Sequence, residues 1–236
     1  PQIKPKGDGE QVAPVNLAAT SLDELQPIGT EHAIDLGSLP LGNLQSFTAE
    51  NTTICNFPQH MPALKRVVFD KATVQGFETA SLPALEELTC NDEHIAVLDA
   101  VPSLQELHIK FRQHSTIIDM AHVRLPRLRK LHIRILSHAR LRSLPTTDNG
   151  LDTLYIKTPS PNVETYAFLK NSVFKKLSII WDDERSDLPP HPLMTALSHL
   201  SPQTTRVYLK GIHGPIACLN QTALDSLECI RCHSLI

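Results

Sequence analysis

The sequence predicts a stacked-repeat protein of the α/β class: a solenoid with a parallel β-sheet along one face and an irregular, partly helical return side. Three observations carry that prediction. Leu104-x-x-Leu107-x-Ile109 and Leu128-x-x-Leu131-x-Ile133 repeat one short apolar pattern. The pattern recurs from about residue 31 to the C-terminus, with starts separated by 20, 21, 19, 24, 23, 23, 30 and 20 residues. Prolines stand just ahead of many of these segments, at Met61-Pro62, Leu82-Pro83, Val101-Pro102 and Leu125-Pro126. A unit this short cannot bury its apolar side alone, so units must stack into a continuous core.

Each element follows from the alignment. The registers are Leu44/Phe47/Ala49, Leu64/Val67/Phe69, Leu85/Leu88/Cys90, Leu104/Leu107/Ile109, Leu128/Leu131/Ile133, Leu151/Leu154/Ile156, Phe174/Leu177/Ile179, Thr204/Val207/Leu209 and Leu224/Leu227/Cys229. An incomplete further copy, Ile34, Leu36 and Leu39, is expected to cap the N-terminal end. The second and third apolar positions alternate with polar residues, the period of a strand with one buried face. Proline cannot donate a ladder hydrogen bond and so marks the loop leading in. Return segments contribute Val74 and Phe77, Ile95 and Leu98, Ile117 and Met120, or Leu141 and Leu144 to the back of the core. Residues 163–170 and 194–200 read as helical, and 182–190 as an exposed loop within the one long interval. Residues 1–30 form a separate N-terminal segment, poorly ordered or capping, where Ser21-x-x-Glu24 matches a capping box opening a short helix. The repeat domain spans residues 31–236.

On these residues the chain resembles leucine-rich repeat proteins across roughly 31–236. Family repeats place Asn or Cys three positions after the third apolar residue, where this chain has Thr52, Ala72, Glu93, Arg112, Leu136 and, only at the end, Cys232. That departure predicts an uneven ladder. The texture is similar to irregular intracellular arrays, such as those of bacterial type III secreted effectors, F-box substrate receptors or plant immune receptors. The resemblance implies protein recognition, in an effector of a host protein inside the host cytoplasm. In several such proteins the array selects substrates for a ubiquitin ligase domain carried elsewhere.

Composition narrows the classes. Apolar residues make up 41% of 236, enough for a real core, and the net charge of −3 gives no global pull toward nucleic acid or anionic membranes. Five scattered cysteines do not form a secreted disulfide framework, which points to a reducing intracellular compartment. Neither a signal peptide nor an apolar run long enough to span a membrane is present in the sequence, and its start at proline suggests a processed or excised piece. Nothing in it speaks to oligomeric state.

Motifs that carry chemistry are sparse. No Gly-rich phosphate loop, Gly-x-Ser-x-Gly elbow or His-Glu-x-x-His pair occurs. Cys229-x-x-Cys232 suggests redox or zinc chemistry, but the register makes Cys229 a buried third apolar position. His108 and His132 occupy one slot of consecutive strands, roughly 5 Å apart. Thr89 and Tyr155 fill the flanking slots, so no carboxylate completes a metal set there. Asp182-Asp183-Glu184 reads as a solvated loop, and Asn51-Thr52-Thr53 and Asn220-Gln221-Thr222 as chance glycosylation matches. The expectation is a protein without catalytic residues, metal or cofactor.

The exposed strand positions are the most informative. The early repeats offer Thr48, Glu50, Val68, Asp70, Thr89 and Asn91, with Glu87 nearby, an acidic to neutral set. Later ones offer His108, Lys110, Phe111, Lys130, His132, Arg134, Tyr155, Lys157, Lys176, Ile180, Trp181, Arg206, Tyr208 and Lys210, a basic and aromatic set. Charge of one sign steers and registers a partner of the other, and Tyr, Trp, Phe and Arg anchor interfaces. The prediction is therefore a face that binds a protein with an acidic surface. Nucleic acid or phosphoinositide binding through Lys110, Arg134 and Lys157, with Tyr155, Trp181 and Tyr208 stacking, is the competing reading, against which the net negative charge counts.

Overall fold

The computed structural model describes residues 2–3, 23–27, 33–37, 39–112, 117–136, 139–159, 168–169, 172–181, 197, 200–211 and 224–230. The chain divides into two compact units, Pro1–Gln105 and Glu106–Ile236.

The first unit carries strands β1 (Gln2–Ile3), β2 (Glu24–Pro27), β3 (Ile34–Asp35), β4 (Ser46–Glu50), β5 (Thr53–Cys55), β6 (Arg66–Asp70), β7 (Thr73–Val74) and β8 (Glu87–Asn91). Its main sheet runs β1-β2-β4-β6-β8, and a second, narrow sheet on the return side runs β3-β5-β7. The second unit carries β9 (Glu106–Phe111), β10 (Ile117–Asp119), β11 (Lys130–Ile135), β12 (Arg140–Ser143), β13 (Leu151–Thr158), β14 (Phe174–Trp181), β15 (Arg206–Lys210) and β16 (Ser226–Ile230). Here the main sheet runs β9-β11-β13-β14-β15-β16, with β10 and β12 paired behind it. All of these pairings are parallel, so each unit is a stretch of β-solenoid.

The strand register reproduces the apolar repeat. Phe47 pairs with Val67 and Ala49 with Phe69; in the second unit Leu107, Leu131, Leu154, Leu177, Val207 and Leu227 follow one another across the sheet. The alternation turns these residues, Leu227 excepted, into a core whose members are almost fully buried, while the residues between them face solvent. In the first unit Phe47, Phe57, Phe69 and Phe77 pack edge to face at 4.8–6.5 Å, and the buried His94 ring abuts the last two.

The proline signal has a specific geometry. In Met61-Pro62-Ala63-Leu64 the Leu64 N–H donates to the Met61 carbonyl at 3.3 Å, and the same bond closes the turns at 82–85, 101–104 and 125–128 at 3.1–3.2 Å. Each proline thus sits at the second residue of a β-turn, the position its fixed φ suits. Leu41-Gly42-Asn43-Leu44 and Ser201-Pro202-Gln203-Thr204 form the same turn. At the other end of the strands, Asn51, Lys71 and Gly211 follow the last residues of β4, β6 and β15 in left-handed conformation.

Several expectations are corrected. Up to residue 159 the described return side is not α-helical: it is built of short parallel strands and 3-10 turns at Phe77–Thr79 and Asp92–Ala100. The β-branched runs Thr53-Ile54, Thr73-Val74 and Ile117-Ile118 favour extended backbone, and so brief a return leaves little room for a helix. Of the segments expected to be helical, only residues 168, 169, 197 and 200 are described, with 168 and 169 in a 3-10 turn and 197 in an α-helix; the 182–190 loop lies outside the described residues. Ile34 and Leu36 do not cap the main sheet. Ile34 pairs with Ile54 on the return side, and the front strand beside β4 is β2, where the buried Leu25 pairs with Phe47. Glu24 therefore begins a strand rather than a helix. Behind β9 and β11 the inward residue is Ile118, whereas Ile117 is exposed.

The slot where the family places Asn or Cys is uneven, as its residues imply. Thr52 and Ala72 are buried, whereas Glu93, Arg112 and Leu136 are exposed. The last register keeps its pairing but not its burial: Leu227 is 42% exposed and Cys229 half-buried. β16 pairs only with β15 among the described residues. No helix among the described residues is long and apolar enough to cross a membrane.

Candidate functional site

Parallel pairing without register shifts turns each exposed strand position of the second unit into a column. The first column holds Glu106, Lys130, Thr153, Lys176, Arg206 and Ser226. The second holds His108, His132, Tyr155, Ser178, Tyr208 and Glu228, and the third Lys110, Arg134, Lys157, Ile180, Lys210 and Ile230. Neighbouring members lie about one strand spacing apart, roughly 4.8 Å. The lysines and arginines of this face outnumber its two carboxylates, Glu106 and Glu228.

Most of the predicted residues come together on this face, but two do not. Phe111 is 2% exposed and Trp181 3% exposed, both turned into the core. Each lies two residues beyond a buried isoleucine, Ile109 or Ile179, and the strands continue far enough to keep the inward phase. The Trp181 indole N–H donates to the Pro159 carbonyl at 2.9 Å. In the first unit Thr48, Val68 and Thr89 face outward with Glu50 and Asp70, but Asn91 is buried. Arg66 pairs with Glu87 there at 3.1 Å.

The middle column is a stack of rings. His108 lies on His132 with centroids 4.1 Å apart and planes 29° from parallel, and His132 lies on Tyr155 at 5.3 Å and 22°. A carboxylate also stands here that the slot-by-slot reading misses. Glu106, two residues before His108 on the same strand face, bonds His108 Nε2 through Oε1 at 2.7 Å and takes the Lys130 ammonium on Oε2 at 2.7 Å. The signal was in Glu106-Leu107-His108, since residues i and i+2 of a strand share a face.

The electrostatics follow from this packing. Burial, and then repulsion from His108 across the stack, push the His132 pKa from 6.5 down to about 4, so its ring is neutral near pH 7. Burial of Glu106 would raise its pKa, but hydrogen bonds from Lys130 and His108 outweigh it and hold the carboxyl below its ordinary range. One donor atom from each of Glu106, His108 and His132 lies within 4.8 Å of the others. At the entry to the sheet Asp152 accepts from Lys175 at 2.8 Å and from Arg129 Nε at 2.7 Å, which lowers its pKa.

Cys55 and Cys90 carry free thiols, and burial among carboxylates pushes the Cys90 thiol far up, so it is an unreactive core residue. Cys232, the other half of Cys229-x-x-Cys232, lies outside the described residues, as do Asp182-Asp183-Glu184. Compared with known proteins, the chain matches no family model, no curated protein and no solved structure, so the reading of its function rests on the columns themselves.

Proposed function

We propose that the chain is a non-enzymatic recognition module of the leucine-rich repeat type whose second unit holds an acidic protein surface against its outer sheet face. The observation that carries this is the in-register column Lys110, Arg134 and Lys157, flanked by Lys130, Lys176, Arg206 and Lys210. Lysine and arginine on successive strands concentrate positive potential along one line of the sheet, which steers and registers a negatively charged partner. His108, Tyr155 and Tyr208 add rigid, partly apolar contact area between the cations. The thiols of Cys55 and Cys90 fit a reducing compartment. The nucleic-acid reading loses support, because the buried Trp181 offers no stacking platform and one face of Tyr155 is covered by His132.

The test is the triple variant Lys110→Glu, Arg134→Glu, Lys157→Glu. Its far-UV circular dichroism and melting should match the parent, while binding of an acidic polypeptide such as polyglutamate is lost. If the variant retains binding, the face is wrongly assigned. If duplex or single-stranded nucleic acid binds instead, with a steep loss in salt, the competing reading holds.

A further inference from the structure

We propose that Glu106, His108 and His132 form a site for one borderline transition-metal ion, zinc(II) in the first place, on the outer face of the second unit's sheet. This inference is independent of the partner reading and concerns residues that the sequence alone assigns to contact rather than coordination.

Three observations converge. The strand register holds His108 and His132 directly opposite each other, so the two imidazoles are neighbours by backbone geometry rather than by a chance side-chain rotamer. Glu106 projects from the same face of β9 and already touches His108 Nε2. The three donor atoms lie within 4.8 Å of one another. Tetrahedral zinc with bonds of about 2.0–2.2 Å places its ligand atoms about 3.3 Å apart. All three side chains are half-buried, and closing that difference requires the two stacked rings to tilt so that one in-plane nitrogen of each points at the ion.

The donor set selects the metal. Two imidazole nitrogens and one carboxylate oxygen suit zinc, nickel or copper, whereas calcium and magnesium require shells made almost wholly of oxygen. Metal entry replaces the Glu106–His108 hydrogen bond: the His108 nitrogen facing the carboxylate becomes a ligand and its proton sits on the other ring nitrogen. Lys130 remains on Oε2 of Glu106, aiming Oε1 at the ion as an outer-shell partner, and Tyr155 backs the His132 ring. Three protein ligands leave a fourth position open to water or to a donor group from a bound partner.

The competing role for Glu106 is purely electrostatic, bridging Lys130 and His108. Calorimetric titration of the chelator-treated full chain with zinc(II) separates the two. The expected result is one binding event per chain that weakens at least tenfold in His108→Ala, in His132→Ala and in Glu106→Gln, and is unchanged in His60→Ala, which removes an imidazole of the first unit. In the parent protein the assigned ring-proton signals of His108 and His132 should shift together as zinc is added. Unaltered zinc uptake in the variants overturns the proposal, as does the absence of uptake by the parent chain. If a variant misfolds, the parent's ring signals decide: signals of His108 and His132 that stay in place under saturating zinc overturn it equally.

Discussion

The imidazole of His132 stacks on that of His108 with ring centroids 4.1 Å apart, on adjacent strands whose register pairs the two residues. Burial, and then repulsion from His108, hold the His132 pKa at about 4, whereas an unfolded chain returns it to about 6.5. Between those values the unfolded state binds more protons, so this contribution to stability is complete above 6.5 and falls away as pH drops toward 4. In chelator-containing buffer, urea midpoints at about pH 7 and about pH 5 should differ more for the parent than for His132→Asn. A His132 titration midpoint near 6.5 by NMR would contradict the stacked, half-buried ring.

Leu131 lies fully buried at the second apolar position of β11. Leu131→Ala should cost about 2–5 kcal/mol through lost burial and the cavity left behind. Its neighbour Arg134 faces water, and Arg134→Ala should stay within about 0.5 kcal/mol. Chemical denaturation of the two variants side by side checks the assignment of inward and outward phase.

Gly211 has φ +74°, and a Cβ there would stand 2.5 Å from the Trp181 carbonyl oxygen. Gly211→Ala should destabilise the second unit by more than the roughly 1–2 kcal/mol of left-handed backbone alone, because the clash is with main chain. Gly42 is the opposite case: a Cβ meets nothing within 4 Å, and the residue occupies the turn position that Pro62, Pro83, Pro102 and Pro126 hold in other repeats. Gly42→Pro should raise stability by about 0.4–1 kcal/mol, read as an upward shift in melting temperature. A destabilised Gly42→Pro protein would show that the repeat turns are not equivalent.

Asp152 sits between Lys175 and Arg129 at the entry to the sheet. Asp152→Asn should cost about 0.2–1 kcal/mol, and less at high salt, because the pair partners are solvent-exposed. The hydrogen bonds from Lys175 and then Arg129 lower the folded pKa. The carboxylate's contribution is therefore present above the ordinary carboxyl range and is lost as pH falls through the lowered value. Acid denaturation curves of the variant should be flatter across that interval.

The sequence by itself determined the register of the main-sheet strands from β4 to β16, though not that of β2. Leucines spaced three and then two apart leave one way to bury a continuous stripe, and prolines at the turn position mark where each strand begins. The same alternation brought Lys110, Arg134 and Lys157 into one column and His108 beside His132. Only the tertiary structure decided where each strand stopped, because strand length is set by pairing with neighbours. For that reason Phe111 and Trp181 keep the inward phase, although they border the cationic column in sequence. The return side was also beyond local reading, since segments this short become strand or 3-10 turn only when a neighbouring repeat supplies hydrogen-bond partners. Glu106 entered the site for a related reason. Its role depends on the distance from one carboxylate to a ring on its own strand and an ammonium on the next, and that distance is fixed by packing.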